Sequence, residues 1–312
     1  MTSVIQENQY SFRTDPPLIL NFDHSVLAFA RDEIRIFLEH WQEKIRFGCT
    51  WHAFSELEKT LTGLIPDKYG CVYTGSGDYH HLSLYLIKKL VQKRGFGPNA
   101  LNVIVCDNHP DNMRYPFGVH CGSWIRSLCA MESIRRVHVV GITSADISAR
   151  YAWQNYLTPF WYRKLTYWSI GTRPDWLRVI NRSDHGMCFA DEASLMDAFR
   201  PVLHESGPLY LSIDKDIFSP QYAKTNWDQG VFSLGGMHDL IRSCSGRIAG
   251  ADITGDISKY TYKGLFKRFL SRLDGQEAYL SPRDVLAAQE GHRALNLMLL
   301  KEIENGWIKG ES

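Results

Sequence analysis

Two apolar segments of the sequence are each followed by ionisable residues at alternate positions. The first segment leads into Asp107, His109 and Asp111, and the second leads into Asp214 and Asp216. Alternate residues of an extended chain point to the same side, so each set aims its side chains in one direction. Carboxylates and imidazoles that converge in this way are metal ligands. The spacing therefore predicts a metal site built at the ends of two strands.

Charge and ligand type indicate which metal such a site would hold. Four carboxylates around one point repel each other unless cations neutralise them, and two divalent ions would balance the four charges. Oxygen-rich sites with imidazole and no thiolate suit Mn²⁺, with Zn²⁺, Ni²⁺ or Fe²⁺ as alternatives. We therefore expect two Mn²⁺ ions per chain. A single Asp-x-His-x-Asp run has another explanation, because such residues also cap helices and complete buried hydrogen-bond networks.

A third candidate segment strengthens the metal hypothesis because it also follows a short strand-like run. Gly77 allows the backbone to turn sharply just before Asp78, His80 and His81. Three sets of ligand-type residues at strand ends, each with apolar residues behind it, favour a rigid site over isolated caps.

Short strands alternate with helices along the chain, which indicates an α/β fold with a parallel sheet. Strand-like runs cover residues 18–23, 71–74, 103–106, 137–142, 209–213 and 248–253. Helical spacing occurs over residues 25–47, 84–93, 124–131, 194–203 and 284–301, with further helices predicted near 235 and before 284. Sites in open α/β sheets gather at the carboxyl ends of strands, where every candidate ligand here falls.

Domain organisation is predicted to be simple. The sequence shows no low-complexity linker and no internal repeat, so residues 1–312 are interpreted as a single domain. Residues 1–17 are expected to form a frayed lead-in that ends at two prolines. Residues 148–182 are rich in aromatic side chains without a clear period, and we interpret them as an insertion over the site.

Composition excludes several classes of partner. The chain has 312 residues with 35 basic and 34 acidic side chains, so no charge excess points to nucleic acid or a membrane surface. No apolar run approaches the roughly 18 residues that span a bilayer, and the amino terminus lacks the features of a secretion signal. The seven cysteines are scattered without a CxxC pair. These features predict a cytoplasmic protein with free thiols.

The three ligand segments together resemble the arginase/agmatinase (ureohydrolase) family, within the wider arginase–deacetylase fold. The family's Gly-Gly-Asp-His-Ser resembles residues 77–83, its Asp-Ala-His-x-Asp matches residues 107–111, and its Ser-x-Asp-x-Asp-x-x-x-Pro matches residues 212–220. The resemblance spans roughly residues 70–260 and implies a three-layer α/β/α arrangement.

The same resemblance implies a ligand set for two manganese ions. Asp107 and Asp214 would bridge the ions. His81, or alternatively His80, would complete one ion with Asp111, and His109 with Asp216 would complete the other. A hydroxide that bridges the two metals would be the nucleophile.

Residues around this ligand set receive further expected roles. Asp216 or His120 would protonate the leaving amine, although His120 is equally well explained as an inert loop histidine. The family's substrate-binding glutamate falls at Gly255, and the neighbouring Asp256 is expected to bind substrate from another angle or to indicate another substrate. Trp227 and Asp228 either line the specificity pocket or, for Trp227, simply pack.

The resulting functional hypothesis is a binuclear manganese hydrolase that cleaves a linear C–N bond in a small molecule. The simplest substrate is a guanidino compound, which would give urea and an amine. One alternative is a mononuclear zinc amidohydrolase similar to the deacetylases, because the adjacent His80 and His81 superficially resemble their paired histidines. The other alternative is a metal-binding member without turnover. We further expect a homo-oligomer.

Overall fold

A nine-stranded parallel sheet dominates the described part of the chain. The computed structural model describes residues 15–29, 31–264, 267 and 281–307. Its strands are β1 (Leu18–Asn21), β2 (Ile34–Phe37), β3 (Gly48–Cys49), β4 (Val72–Gly75), β5 (Leu101–Cys106), β6 (Val119–His120), β7 (Ile134–Ile142), β8 (Leu165–Ile170), β9 (Gly186–Phe189), β10 (Leu209–Asp214) and β11 (Ile248–Thr254). The sheet order is β2-β1-β4-β11-β10-β5-β7-β8-β9, and β3 pairs with β6 in a separate antiparallel ribbon.

Helices connect these strands and cover the sheet. They are α1 (Gln42–Ile45), α2 (Trp51–Leu64), α3 (Ser83–Arg94), α4 (Ile125–Cys129), α5 (Thr158–Trp161), α6 (Glu192–Glu205), α7 (Leu234–Ser243) and α8 (Pro282–Gly306). A 3-10 helix, Gly77–Leu82, joins β4 to α3. Within the described residues, no helix is both long and apolar enough to cross a lipid bilayer.

The sheet is buried on both faces, which explains why its strands are continuous apolar runs rather than alternating ones. In β5, Val103 and Val105 belong to the hydrophobic cluster on one face, whereas Ile104 and Cys106 belong to the cluster on the other. Helices α2, α3 and α4 contribute to the first cluster, and α6, α7 and α8 contribute to the second. The fold class predicted from the sequence, a parallel sheet flanked by helices, is confirmed.

Two sequence-based predictions were wrong. The helix predicted over residues 25–47 is mostly absent, because Ile34 and Ile36 lie in β2 and pack from the sheet edge beside β1. The spacing of a short alternating strand can imitate helical periodicity over a few residues. Residues 148–182 are not wholly an insertion either, since β8 lies in the sheet between β7 and β9.

Some predictions lie outside the described residues. Most of the lead-in at residues 1–17 does so, and so does most of the helix predicted before residue 284. The remaining strand predictions and the helices near residues 84–93, 124–131, 194–203, 235 and 284–301 correspond to described elements.

The strand order brings the candidate ligands together. Strands β4, β11, β10 and β5 are neighbours, although they are far apart in the sequence. All four are parallel, so their carboxyl ends lie at one edge of the sheet. Every predicted metal ligand lies at the end of β10 or in the segments that follow β4, β5 and β10.

Candidate metal centre

Two adjacent strand ends place the central carboxylates side by side. In the pairing of β10 with β5, Ile213 lies opposite Cys106, so Asp214 and Asp107 follow at neighbouring positions. Both side chains are buried, with Asp107 1% and Asp214 3% exposed. Each carboxylate also accepts a backbone N–H two residues onward, from His109 to Asp107 Oδ1 at 2.6 Å and from Asp216 to Asp214 Oδ1 at 3.0 Å. These bonds fix the carboxylates before any ligand binds.

The first group of potential ligands consists of His80, Asp107 and Asp111, and we call it the His80 group. His80 Nδ1 lies 3.0 Å from Asp107 Oδ2 and 2.9 Å from Asp111 Oδ2. Asp214 Oδ2 is slightly farther from the same nitrogen, at 3.7 Å. All of these side chains are buried. One imidazole nitrogen therefore faces three carboxylates.

The second group consists of Asp107, His109 and Asp216, and we call it the His109 group. His109 Nδ1 lies 2.8 Å from Asp216 Oδ2 and 3.5 Å from Asp107 Oδ1. Asp107 therefore belongs to both groups and turns a different oxygen toward each histidine. A carboxylate in this position can serve two metal ions at once.

Outer hydrogen bonds orient both histidines. His80 Nε2 lies 2.9 Å from Ser212 Oγ, and Ser212 in turn donates to Asp252 Oδ1 at 2.8 Å. His109 Nε2 lies 2.8 Å from Asp228 Oδ1. Partners of this kind hold the ring of a metal-binding histidine so that its other nitrogen faces the ion. Both Nδ1 atoms are held toward the carboxylates in this way.

Electrostatics support a cation at this position. Burial and the neighbouring Asp107 raise the pKa of both Asp111 and Asp216 to about 7. Burial and the nearby Asp216 and Asp107 raise the pKa of Asp214 well above its ordinary value. These shifts reflect the cost of crowding negative charges in a buried space, which divalent ions would relieve. The donor set, with carboxylates, two imidazoles and no thiolate, is one that Mn²⁺, Zn²⁺, Ni²⁺ or Fe²⁺ can occupy.

The structure distinguishes the two adjacent histidines. The 3-10 helix Gly77–Leu82 turns His80 toward the carboxylates and His81 away from them. His81 is fully buried, packs 6.0 Å from the ring of Phe54, and neither ring nitrogen has a hydrogen-bond partner among the described residues. This arrangement favours His80 as the ligand.

Asp256 occupies a different environment from the one predicted. Its Oδ2 lies 2.7 Å from Lys215 Nζ, and Asn296 donates to its Oδ1 at 3.2 Å. Gly255 adopts φ +88°, and a Cβ there would lie 2.4 Å from Asp214 Oδ1, so the position where the resemblance expects glutamate has no room for one. Because Lys215 already neutralises Asp256, these contacts speak against its predicted role in substrate binding.

His120 lies in an aromatic wall. Its ring stacks on Phe47 at 5.7 Å and meets the edge of Tyr115 at 4.6 Å, while its Nδ1 accepts the Gly122 N–H at 2.9 Å. Burial lowers the pKa of His120 to about 4. The ring is therefore neutral near pH 7. Phe47 also stacks on Trp227 at 6.3 Å, so His120 and Trp227, two of the predicted site residues, both contact Phe47.

Sequence reasoning missed two buried cations near the ligands. Lys215 stands between Asp214 and Asp216 and is fully buried. Arg46 is 2% exposed and donates through Nε to Asp78 Oδ2 at 2.6 Å. The only local signal for Lys215 was its position between two predicted ligands, and nothing in the sequence around Arg46 pointed to the site.

Gly77 is a tightly packed position at the edge of the ligand groups. A methyl group added there would lie 3.0 Å from Asp214 Oδ2 and 3.0 Å from Trp227 Nε1. We expect Gly77→Ala to displace one of these side chains and to weaken metal binding by about tenfold, since overpacking costs about 1–3 kcal/mol. Isothermal titration with Mn²⁺ measures the change.

The matched control for this substitution is Gly63→Ala. Gly63 lies in α2, where an added Cβ meets nothing within 4 Å. The control variant should bind metal like the original protein and gain up to about 1 kcal/mol in helix stability. Equal metal affinity in both variants would show that Gly77 does not confine the ligands.

Comparisons with known proteins identify the fold. No family model matches the chain. A Thermotoga maritima protein described as uncharacterized is 26% identical over 210 residues, which is 67% of each chain. The arginase of Bacillus subtilis aligns with a TM-score of 0.54 and 13% identity, covering 96% of this chain and 100% of that one.

Two further solved structures agree with this result. The agmatine ureohydrolase of Thermoplasma volcanium aligns with a TM-score of 0.52 and 13% identity, covering 94% of this chain and 90% of that one. The Trypanosoma cruzi formiminoglutamase with Mn²⁺ aligns with a TM-score of 0.50 and 16% identity, covering 93% and 96%. Identities this low speak for the fold alone, and the chain is a divergent example of the arginase/ureohydrolase fold.

Proposed function

We propose that this chain is a hydrolase that uses two divalent metal ions, Mn²⁺ in the first instance, to cleave a linear C–N bond in a small molecule. The observation that carries the proposal is the position of Asp107, which belongs to both the His80 group and the His109 group. The names of the similar structures support it, since they include an arginase, an agmatine ureohydrolase and a formiminoglutamase crystallised with Mn²⁺.

The residues divide between the two ions as follows. His80 and Asp111 would hold one ion, His109 and Asp216 would hold the other, and Asp107 with Asp214 would lie between them. When bound, the ions would supply a water molecule activated as a nucleophile at neutral pH. The chain itself would orient the substrate and accept and return protons.

Asp228 is the carboxylate best placed to receive a cationic substrate. Its side chain is 69% exposed, whereas the predicted alternative Asp256 is buried against Lys215. A hydrogen bond from His109 lowers the pKa of Asp228, so it is ionised at neutral pH. A planar guanidinium pairs well with an ionised carboxylate. Asp228 therefore supports a guanidino substrate that would yield urea and an amine.

Two residues can handle the proton that the leaving amine requires. Asp216 lies within the His109 group, beside the proposed point of hydrolysis, and is the first candidate. His120 is neutral near pH 7, and because its Nδ1 accepts the Gly122 N–H, its proton lies on Nε2, which can donate it. Proton transfer by positioned groups of this kind contributes typically 10²- to 10⁴-fold to a rate.

The structure bears on both alternative functions, the mononuclear zinc enzyme and the metal-binding protein without turnover. A single zinc ion would use only one of the two ligand groups and would leave the carboxylates of the other group without a cation. The geometry therefore favours two ions. The buried pair of Lys215 with Asp256 favours the reading in which the metal site has lost ureohydrolase turnover. The predicted homo-oligomer and cytoplasmic location stay predictions.

Metal analysis with a substrate panel tests the proposal. The purified chain is loaded with Mn²⁺, its metal content is measured, and urea release is followed with a series of guanidino compounds. We expect two ions per chain and urea release from one member of the series. Two ions without urea would move the search to other C–N substrates, and a single zinc ion would favour the deacetylase-like alternative.

Asp228→Asn is the most informative variant in this assay. Asparagine keeps an oxygen for His109 but loses the charge, so KM for a guanidino substrate should rise by about tenfold or more. Because Asp228 also orients His109, the metal content of the variant is measured alongside KM, and KM is compared at full metal loading. Asp239→Asn, on the exposed side of α7, is the matched control and should leave KM unchanged. An unaltered KM in Asp228→Asn would remove Asp228 from substrate binding.

A further inference from the structure

Trp227 places an indole N–H at the edge of the ligand groups. Its Nε1 lies 3.0 Å from the point where a Cβ of Gly77 would be, and Asp214 Oδ2 lies 3.0 Å from the same point. Among the described residues, the structure gives this nitrogen no hydrogen-bond acceptor. An indole nitrogen only donates. This donor, next to a cluster of carboxylates, is therefore available to an oxygen of water or of a ligand.

The loop that carries Trp227 is anchored on both sides of the ring. Asn226 Nδ2 donates to Ser258 O at 2.5 Å, and Thr225 Oγ1 donates to Trp227 O at 3.3 Å. Asn108 Nδ2 donates to Asp228 O at 3.0 Å. These bonds tie the loop to the segment after β11 and to the segment after β5. The position of the indole is therefore set by the same strand ends that position the ligands.

Phe47 holds the ring from the side. It stacks on Trp227 at 6.3 Å with an interplanar angle of 17°. Phe47 adopts φ +67°, which is unfavourable for a bulky residue, and its backbone is bonded to Asp78 O and to Cys121 N at 3.0 Å each. Phe47 also stacks on His120 at 5.7 Å, so its ring lies between those of His120 and Trp227 in one aromatic wall.

Chemistry determines which oxygen a fixed donor would meet. Hydrolysis of a C–N bond adds the oxygen of water to the carbon, breaks the bond to nitrogen and leaves a proton on the departing amine. The product, urea in the case of a guanidino substrate, carries a carbonyl oxygen that the substrate lacked. A hydrogen bond to that oxygen forms as the reaction proceeds and so favours the transition state over the substrate.

We propose that the Trp227 N–H donates a hydrogen bond to the oxygen that hydrolysis places on the scissile carbon. This inference rests on the proposed function, because it takes the reaction to be C–N hydrolysis at the two ligand groups. It assigns Trp227 and Asp228, neighbours on one loop, complementary tasks. Asp228 forms an ion pair with the cationic substrate, and the Trp227 N–H donates a hydrogen bond to the oxygen of the product.

Three variants separate hydrogen bonding from packing. Trp227→Phe keeps an aromatic ring against Phe47 and removes the N–H, whereas Trp227→Leu removes the ring as well. Trp161→Phe, at an exposed tryptophan of α5, is the control. We expect Trp227→Phe to lower kcat by about tenfold with little change in KM, since the lost bond belongs to the transition state. A Trp227→Phe variant within twofold of the original kcat, with a large loss only in Trp227→Leu, would reduce Trp227 to packing.

A binding measurement tests the same contact without turnover. The zinc-loaded chain, labelled with ¹⁵N in its tryptophan side chains, is titrated with urea, and the Trp227 indole signal is assigned by its absence in Trp227→Phe. The Trp227 signal should move downfield with urea while the Trp161 signal stays in place. A Trp227 signal that does not respond to urea would overturn the inference.

The two readouts distinguish failure of the inference from failure of the proposed function. Urea release by the original chain, combined with a silent Trp227 signal, would contradict only the role of Trp227. A metal-loaded chain that releases no urea from any guanidino compound would contradict the proposed ureohydrolase activity. In that case a urea-dependent shift of the Trp227 signal would still support its role as a donor to a carbonyl oxygen.

Discussion

Asp107→Asn is expected to remove both metal ions and to reduce urea release to the rate of the metal-free protein. Asp107 turns one oxygen toward His80 at 3.0 Å and the other toward His109 at 3.5 Å, so its charge serves both groups. Asparagine has nearly the same shape but only one neutral oxygen acceptor. Within the described residues, Asp107 is the ligand that the two groups share.

The measurement combines metal content with thermal unfolding in the presence and absence of Mn²⁺. A metal ion whose free concentration is 100 times its dissociation constant stabilises the folded state by about 2.7 kcal/mol. The variant should lose this stabilisation. Asp197→Asn, at a highly exposed position of α6, is the control and should keep it. Retention of both ions by Asp107→Asn would contradict the shared position of this carboxylate.

Metal affinity should also depend on pH in a defined direction. Burial and neighbouring Asp107 raise the pKa of Asp111 and Asp216 to about 7, so protons occupy these carboxyls below that pH. Metal binding must displace these protons. Although burial opposes it, Asp111 and Asp216 raise the pKa of His80 and His109, respectively, well above the ordinary value, so these imidazoles must also lose a proton to bind metal. Affinity for Mn²⁺ therefore falls as the pH drops below about 7 and continues to rise above it.

Arg46→Met is expected to lower the free energy of unfolding by about 3–5 kcal/mol, the range for removing one partner of a buried ion pair. Arg46 donates to Asp78 Oδ2 at 2.6 Å and to Ser258 Oγ at 2.8 Å, and its Nη1 lies 3.5 Å from Asp23 Oδ2. These partners come from the segments after β1, β4 and β11. Methionine fills similar space but leaves two buried carboxylates without their cation.

Urea denaturation of the Arg46 variant and of an exposed counterpart measures this effect. Arg178 pairs with Asp175 at 3.8 Å on the surface, where both side chains are more than half exposed. Arg178→Met should cost less than about 1 kcal/mol. The double variant Arg46→Met with Asp78→Asn should recover part of the loss, because it removes one of the unpaired charges. A cost below that of the surface variant would show that the buried network contributes no net stability.

Much of the candidate site was predictable because its information is local. In Asp107, His109 and Asp111, alternate positions after an apolar run put three ligand types on one side of the chain, and covalent geometry alone sets that period. Asp214 and Asp216 also occupy alternate positions after an apolar run, so the same period placed both carboxylates on one side of the chain. The apolar runs themselves predicted strands buried on both faces, and hence a parallel sheet with its site at the carboxyl ends.

The failed and open predictions share a different cause. The spacing of residues 25–47 was compatible with a helix, and only the pairing of Ile34 with Leu18 on β1 decides for a strand. The sequence could not choose between His80 and His81, because their adjacent side chains diverge according to the turn of a 3-10 helix packed on β10. In each case a contact with a distant segment outweighs the local preference.

The sequence by itself therefore determined the types of ligand, their spacing along two strands and the class of fold. The tertiary structure decided which strands are neighbours, which histidine faces the carboxylates and that Asp256 is neutralised by Lys215 rather than open to substrate. The physical reason is that periodicity and residue type are properties of a few adjacent bonds. Pairing across β10 and β11 depends instead on packing between residues far apart in the chain, which local pattern does not encode.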